Sequence, residues 1–137
     1  MIVADARFRP WLEARLGMEL SQDAQFIGRI EGEQIVAAAA FSHFTGHDIE
    51  LSVAGNPGGG SKAYLQAVFG YVFDQCGCAR CTVKTRESNK PAIRLAERLG
   101  FQREGLLRNG FGDEAAIVFG LTRKDYGERR RKATSGT

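Results

Sequence analysis

Polar and apolar positions divide the chain into short segments of two periodicities. Phe8, Trp11, Leu12 and Leu16 recur at helical spacing between Asp5 and Gly17, with Pro10 suited to a first turn and Gly17 to a stop. Two strand-like runs follow, Ala24 to Ile30 and Gln34 to Ser42, around the turn Glu31-Gly32-Glu33. The four alanines from Ala37 to Ala40 are helix formers in isolation. A hairpin turn before them and Thr45-Gly46 after them leave a segment of strand length, so strand is expected. Asp48 to Val53 alternates polar and branched apolar side chains and predicts a third strand.

After the glycine loop Gly55-Asn56-Pro57-Gly58-Gly59-Gly60-Ser61, the residues Tyr64, Leu65, Val68, Phe69, Val72, Phe73 and Cys76 form one apolar face. A helix is predicted from about Ser61 to Gln75. Ala79 to Arg86 reads as a strand, parallel to the Asp48 strand because a helix connects them. Ser88-Asn89 caps a helix that runs through Leu99 with Pro91 in its first turn and Gly100 as its stop. Strands from Phe101 to Arg108 and Ala115 to Thr122 close the pattern. The order α-β-β-β-α-β-α-β-β is an α+β domain with a mixed central sheet of about six strands and flanking helices.

A chain of 137 residues can bury one core without staples or a metal. Residues 1–126 read as that domain, and residues 127–137 as a flexible basic tail. The whole chain's 43% hydrophobic and 26% charged content is globular, and no apolar run approaches the roughly 20 residues that span a bilayer. The start lacks a basic segment followed by an apolar one, so a cytoplasmic protein without a membrane partner is expected. Much of the net charge of +3 sits in Arg129-Arg130-Arg131-Lys132. Nucleic acid is not an expected partner, because this tail has no aromatic residue on which a base could stack.

Strand, glycine loop and helix together form an anion-binding arrangement. Glycines let successive N–H groups turn to one point, Ser61 caps the helix, and the positive end of the helix dipole lies beside them. An ordinary glycine-rich connection has the same composition. No Gly-Lys-Ser/Thr ends the loop, and no acidic residue stands at the dinucleotide spacing, since Glu87 lies too far on. Cys76, Cys78 and Cys81 lack a neighbouring histidine to complete a zinc site, and buried thiols explain them with less. His43 and His47 flank a turn, where a metal ligand and a solvated side chain are both open readings, so no metal is expected from this pattern alone.

Asn89-Lys90-Pro91-Ala92-Ile93-Arg94-Leu95-Ala96-Glu97-Arg98-Leu99-Gly100-Phe101 resembles the Asn-x-x-Ser/Ala…Leu-Gly-Phe segment of the GNAT acetyltransferases. The branch it looks most like acetylates the N-termini of ribosomal proteins. Leu65 to Phe73 with Gly77 to Arg80, and Gly105 to Arg108 with Val118 to Leu121, extend the likeness over about Asp48 to Arg123. In that register the family's Arg/Gln-x-x-Gly-x-Gly/Ala loop falls on Asn56, Gly59 and Ser61.

The resemblance implies acetyl-CoA as cosubstrate and a primary amine, small molecule or peptide, as acceptor. Leu51, Ser52 and Val53 would pair with pantetheine as an added strand. Asn56, Gly58, Gly59, Gly60, Ser61 and Lys62 would receive the pyrophosphate, and Asn89 would orient the coenzyme or a water. Glu50, on the face of Asp48 and Ser52, is the candidate base, with pairing to an arginine as its structural alternative. Ser52 or a water is the candidate acid, since no tyrosine lies between Phe101 and Asp125. The acceptor pocket would be built from the first helix and the turns at His43–His47 and Asn109–Asp113. Asn56, Ser61 and Ala92 depart from the family's commonest residues. A GNAT fold used as a structural or protein-interaction module, docked on a partner or a second copy of itself, is the alternative expectation.

Overall fold

The computed structural model describes residues 1–135, with side chains through Arg131. Seven strands form one sheet in the order β1-β2-β3-β4-β5-β7-β6. They are β1 (Ile2–Ala4), β2 (Gln25–Glu31), β3 (Gln34–Ser42), β4 (Asp48–Gly55), β5 (Arg80–Arg86), β6 (Gln102–Leu107) and β7 (Ala116–Thr122). The helices are α1 (Phe8–Leu16), α2 (Lys62–Gly70), α3 (Lys90–Arg98) and α4 (Arg123–Ser135), and a π-helical turn, Tyr71–Gln75, continues α2. Every pairing is antiparallel except β4 with β5.

Two elements differ from the sequence expectation. The sheet has seven strands where about six were expected, because Ile2–Ala4 pairs with β2 and the terminal amino group donates to Ile30 O at 2.8 Å. Three residues are too few to show alternation, so this strand exists through its partner alone. The basic segment after Gly127 is helical through Ser135. Thr122 Oγ1 accepts from Asp125 N at 3.2 Å and Asp125 Oδ2 accepts from Thr122 N at 3.1 Å, a reciprocal cap that starts α4. Tyr126 then stacks on Phe73 with ring centroids 4.7 Å apart, and Arg129 donates to Leu99 O. The last two residues of the expected tail, 136 and 137, lie outside the described residues.

The sheet is covered unequally. On one face, α2, the π-helical turn and α3 pack Tyr64, Val68, Phe69, Val72, Phe73, Ile93 and Ala96 onto Ala37, Ala39, Phe41, Ile49, Leu51 and Cys81. On the other, α1 packs Phe8 and Leu12 onto Phe26, Ile30, Ala38 and Ala40. The alanine run is thus buried from both sides of a central strand, where small side chains let both helix layers approach. Gly28 serves the same end, since a Cβ there would collide with the Phe8 ring. Gly17 ends α1 as expected, with φ +67° and its N–H on Glu13 O at 2.9 Å.

Candidate functional site

β4 and β5 are paired only through Asp48↔Arg80, Ile49↔Cys81 and Glu50↔Thr82. Beyond that point β4 stays on β3 as far as Gly55 and β5 stays on β7 as far as Arg86. The two parallel strands therefore separate, and the β5-facing backbone of Leu51 to Val53 has no strand partner. A cleft of about 270 Å³ opens there. Leu51, Ser52 and Val53 form one wall and Val83 to Arg86 the other, and Asn89, the N-cap of α3, lines the cleft together with Ala92 and Leu95 of that helix. Arg15, Leu16, Met18 and Phe111 also line it.

The cleft offers few but specific polar groups. Thr85 Oγ1 is buried with no hydrogen-bond partner, the mark of a group that a ligand would satisfy. Ser52 makes no side-chain hydrogen bond among the described residues. Asn89 is the N-cap of α3, its Oδ1 accepting from Ala92 N at 3.2 Å, so its capping role is real and its place on the cleft is additional.

Glu50 occupies the last position of β4 that is paired with β5, with its side chain 20% exposed. Its partner is a lysine rather than the arginine considered from the sequence: Lys84 Nζ lies 2.9 Å from Glu50 Oε1. His43 Nε2 stands 4.0 Å from Glu50 Oε2, on a residue with φ +55°. On the same polar face Thr82 Oγ1 donates to Asp48 at 2.8 Å, and Arg80 Nη2 lies 2.7 Å from Glu104 Oε1. Arg86 Nη1 bonds Asp113 Oδ1 at 2.8 Å, while its guanidinium lies 4.8 Å from the centroid of the Phe111 ring.

The glycine loop follows at the end of β4. Ser61 caps α2 as expected, its Oγ accepting from Tyr64 N at 3.1 Å. Several loop groups are spent on the loop itself. Asn56 N donates to Val36 O at 2.8 Å, Gly59 N to Asn56 O at 2.8 Å and Ser61 N to Gly59 O at 3.2 Å, while Arg29 Nη1 donates to Gly59 O at 2.9 Å. Gly58 and Gly60 keep N–H groups without a protein partner among the described residues. Gly59 is there for space, because a Cβ would collide with Val36 O. Lys62 lies in a groove between α2 and α4 with Leu65, Phe69, Tyr126 and Arg129, away from the β4–β5 cleft.

Cys78 and Cys81 are fully buried, and burial pushes both thiols up. Among the described residues no group of three or more His, Cys, Asp or Glu side chains is placed to hold a metal, and no helix is long and apolar enough to cross a membrane. Sequence reasoning did not single out Arg15, Met18, Lys84, Thr85 or Arg86. Alternation along a strand puts Lys84 and Arg86 of β5 on one face, but only the tertiary pairing brings Lys84 to Glu50.

The fold is thus an α+β domain whose mixed sheet is open between its two parallel neighbours, with a capped helix N-terminus beyond the opening. The chain belongs to the GNAT acetyltransferase family, whose model matches residues 3–101. Solved structures share this fold. A spermidine/spermine N-acetyltransferase from Vibrio cholerae, solved with manganese ions, is 13% identical with TM-score 0.72, over 94% of this chain and 95% of that one. A Campylobacter jejuni N-acetyltransferase in complex with acetyl coenzyme A is 16% identical with TM-score 0.60, over 75% of this chain and 70% of that one. A ribosomal-protein-S5-alanine acetyltransferase from Vibrio fischeri is 14% identical with TM-score 0.62 over 74% of this chain, which spans 63% of its length. No curated protein sequence gives a significant match.

Proposed function

We propose that the protein is an acetyl-CoA-dependent N-acetyltransferase that moves an acetyl group to a primary amine, of a small molecule or a peptide, by direct attack within a ternary complex. The observation that carries this reading is the separation of β4 from β5 past Glu50 and Thr82, with an open cleft between them. The unpaired backbone of Leu51 to Val53 suits the amides of pantetheine, and the orphaned Thr85 hydroxyl suits a polar atom of the same ligand. Gly58 and Gly60 N–H and the N-terminus of α2 favour the anionic end of the coenzyme.

Glu50 takes the proton of the acceptor amine, which would lie in the cleft beside Arg15, Met18 and Phe111. Ser52 or a water returns a proton to the departing thiolate. A non-catalytic module would fill the gap with its own side chains. Tyr64 instead lies in the core with its hydroxyl on Ile27 O at 2.8 Å, and Phe111, against the Arg86 guanidinium, lines the cleft and leaves it open. Calorimetry with acetyl-CoA tests the reading. Saturable binding is expected, and its absence at millimolar coenzyme would overturn it.

A further inference from the structure

Lys84 is the one lysine among the described residues that line the cleft. Its ammonium is held 2.9 Å from Glu50 Oε1, and its side chain remains 40% exposed. A base must stand within hydrogen-bond reach of the amine it deprotonates, about 2.6–3.2 Å. Lys84 therefore already has, toward Glu50, the position that an acceptor amine would need. Two other lysines have different surroundings. Lys62 lies in the groove between α2 and α4, and Lys90 Nζ donates to Glu87 O at 3.2 Å at the start of α3.

We propose that Lys84 is itself an acetyl acceptor, so that the chain acetylates a lysine of its own cleft; this rests on the acetyl-CoA reading above. The Lys84 ammonium gives one proton to Glu50 and attacks the thioester carbonyl carbon through the freed lone pair. The C–N bond forms, the C–S bond breaks, and the coenzyme leaves as thiolate. The second amine proton passes to that thiolate, which becomes the thiol, and Glu50 releases its proton to water. Ammonium and thioester thus become acetamide, thiol and one solvent proton, with no oxidant or further reactant. A tethered amine has the advantage of proximity over one that must diffuse in. The product side chain carries no charge, so its ion pair with Glu50 is lost and the carboxylate is released to serve an external amine.

The test uses the full chain with acetyl-CoA and no added amine, at several protein concentrations, followed by intact mass and peptide mapping, with calorimetry on the same sample. The expected result is one acetyl group per chain at Lys84, one equivalent of free thiol, and a rate constant independent of protein concentration. Lys84→Arg abolishes the label, and Glu50→Gln slows it by about tenfold or more. Coenzyme binding with Lys84 unmodified, labelling spread evenly over surface lysines, or a rate proportional to protein concentration would each overturn self-acetylation while leaving the acetyltransferase reading standing. No coenzyme binding would remove both.

Discussion

Thr82 Oγ1 donates to Asp48 Oδ1 at 2.8 Å across the stretch where β4 and β5 are still paired, and one residue pair further along the strands separate. This bond therefore stands at the origin of the cleft. Thr82 also accepts from Arg80 Nε at 3.1 Å, so its buried hydroxyl uses both of its capacities. Thr82→Val keeps the shape and removes the donor. The expected loss is about 1–2 kcal/mol of stability in denaturant titration, since Asp48 keeps the Arg80 guanidinium nearby at 3.6 Å. A change within experimental error would show that the pairing of the strands does not depend on this bond.

Glu50→Gln retains the size of the side chain but cannot take a proton. With the best acceptor amine, kcat should fall by about 10²-fold or more, while the calorimetric Kd for acetyl-CoA stays within about twofold. An unchanged kcat would remove Glu50 from the chemistry.

Gly59→Ala places a methyl group against the carbonyl oxygen of Val36, a backbone atom that cannot swing aside. The loop must move off β3, breaking the Asn56 N to Val36 O and Arg29 to Gly59 O bonds. A stability loss of about 1–3 kcal/mol is expected. Coenzyme affinity should weaken at least about tenfold, whereas Gly60→Ala, where nothing stands in the way, should be mild by comparison. Equal behaviour of the two variants would contradict a packing role for Gly59.

Glu114 joins the β6–β7 loop to the start of α3. The N–H and hydroxyl of Ser88, each at 2.9 Å, and then Arg86 hold its carboxyl below its ordinary value of 4.5. A depressed carboxyl pKa stabilises the fold fully above the ordinary value, and the contribution is lost as pH falls through the lower folded value. The thermal midpoint of Glu114→Gln should therefore lie below that of the parent at neutral pH, and the gap should shrink as pH drops under 4.5. A gap that stays constant down to strongly acidic pH would exclude this linkage.

The thiols provide a probe of global opening. Cys78 and Cys81 are fully buried and pushed up by that burial, whereas Cys76 is partly exposed. A thiol-specific reagent should modify Cys76 readily in the native protein. Cys78 and Cys81 should react slower by a factor on the order of 10³ or more until denaturant is added. Fast reaction of Cys81 would mean that β5 opens locally, and with it the wall of the cleft.

Local pattern alone settled much of this molecule. The helical spacing of Tyr64 to Phe73, the caps at Ser61 and Asn89, the stops at Gly17 and Gly100, and the parallel relation of the Asp48 and Ala79 strands are consequences of periodicity, side-chain capping and crossover handedness, which act within a few residues or one connection. The loop chemistry was legible only in part. Glycine content suggested a row of N–H donors, but the bonds of Gly59 to Asn56 and of Ser61 to Gly59 are choices of one backbone path among many that glycine allows. What only the tertiary structure decided are relations between distant segments. β1 owes its existence to β2, and α4 owes its docking to Phe73 and Leu99. The Glu50–Lys84 pair arises because β4 and β5 run parallel in one register and then part. No spacing along the chain encodes that register. It is fixed by which apolar faces the helices bury, and that is a property of the whole core.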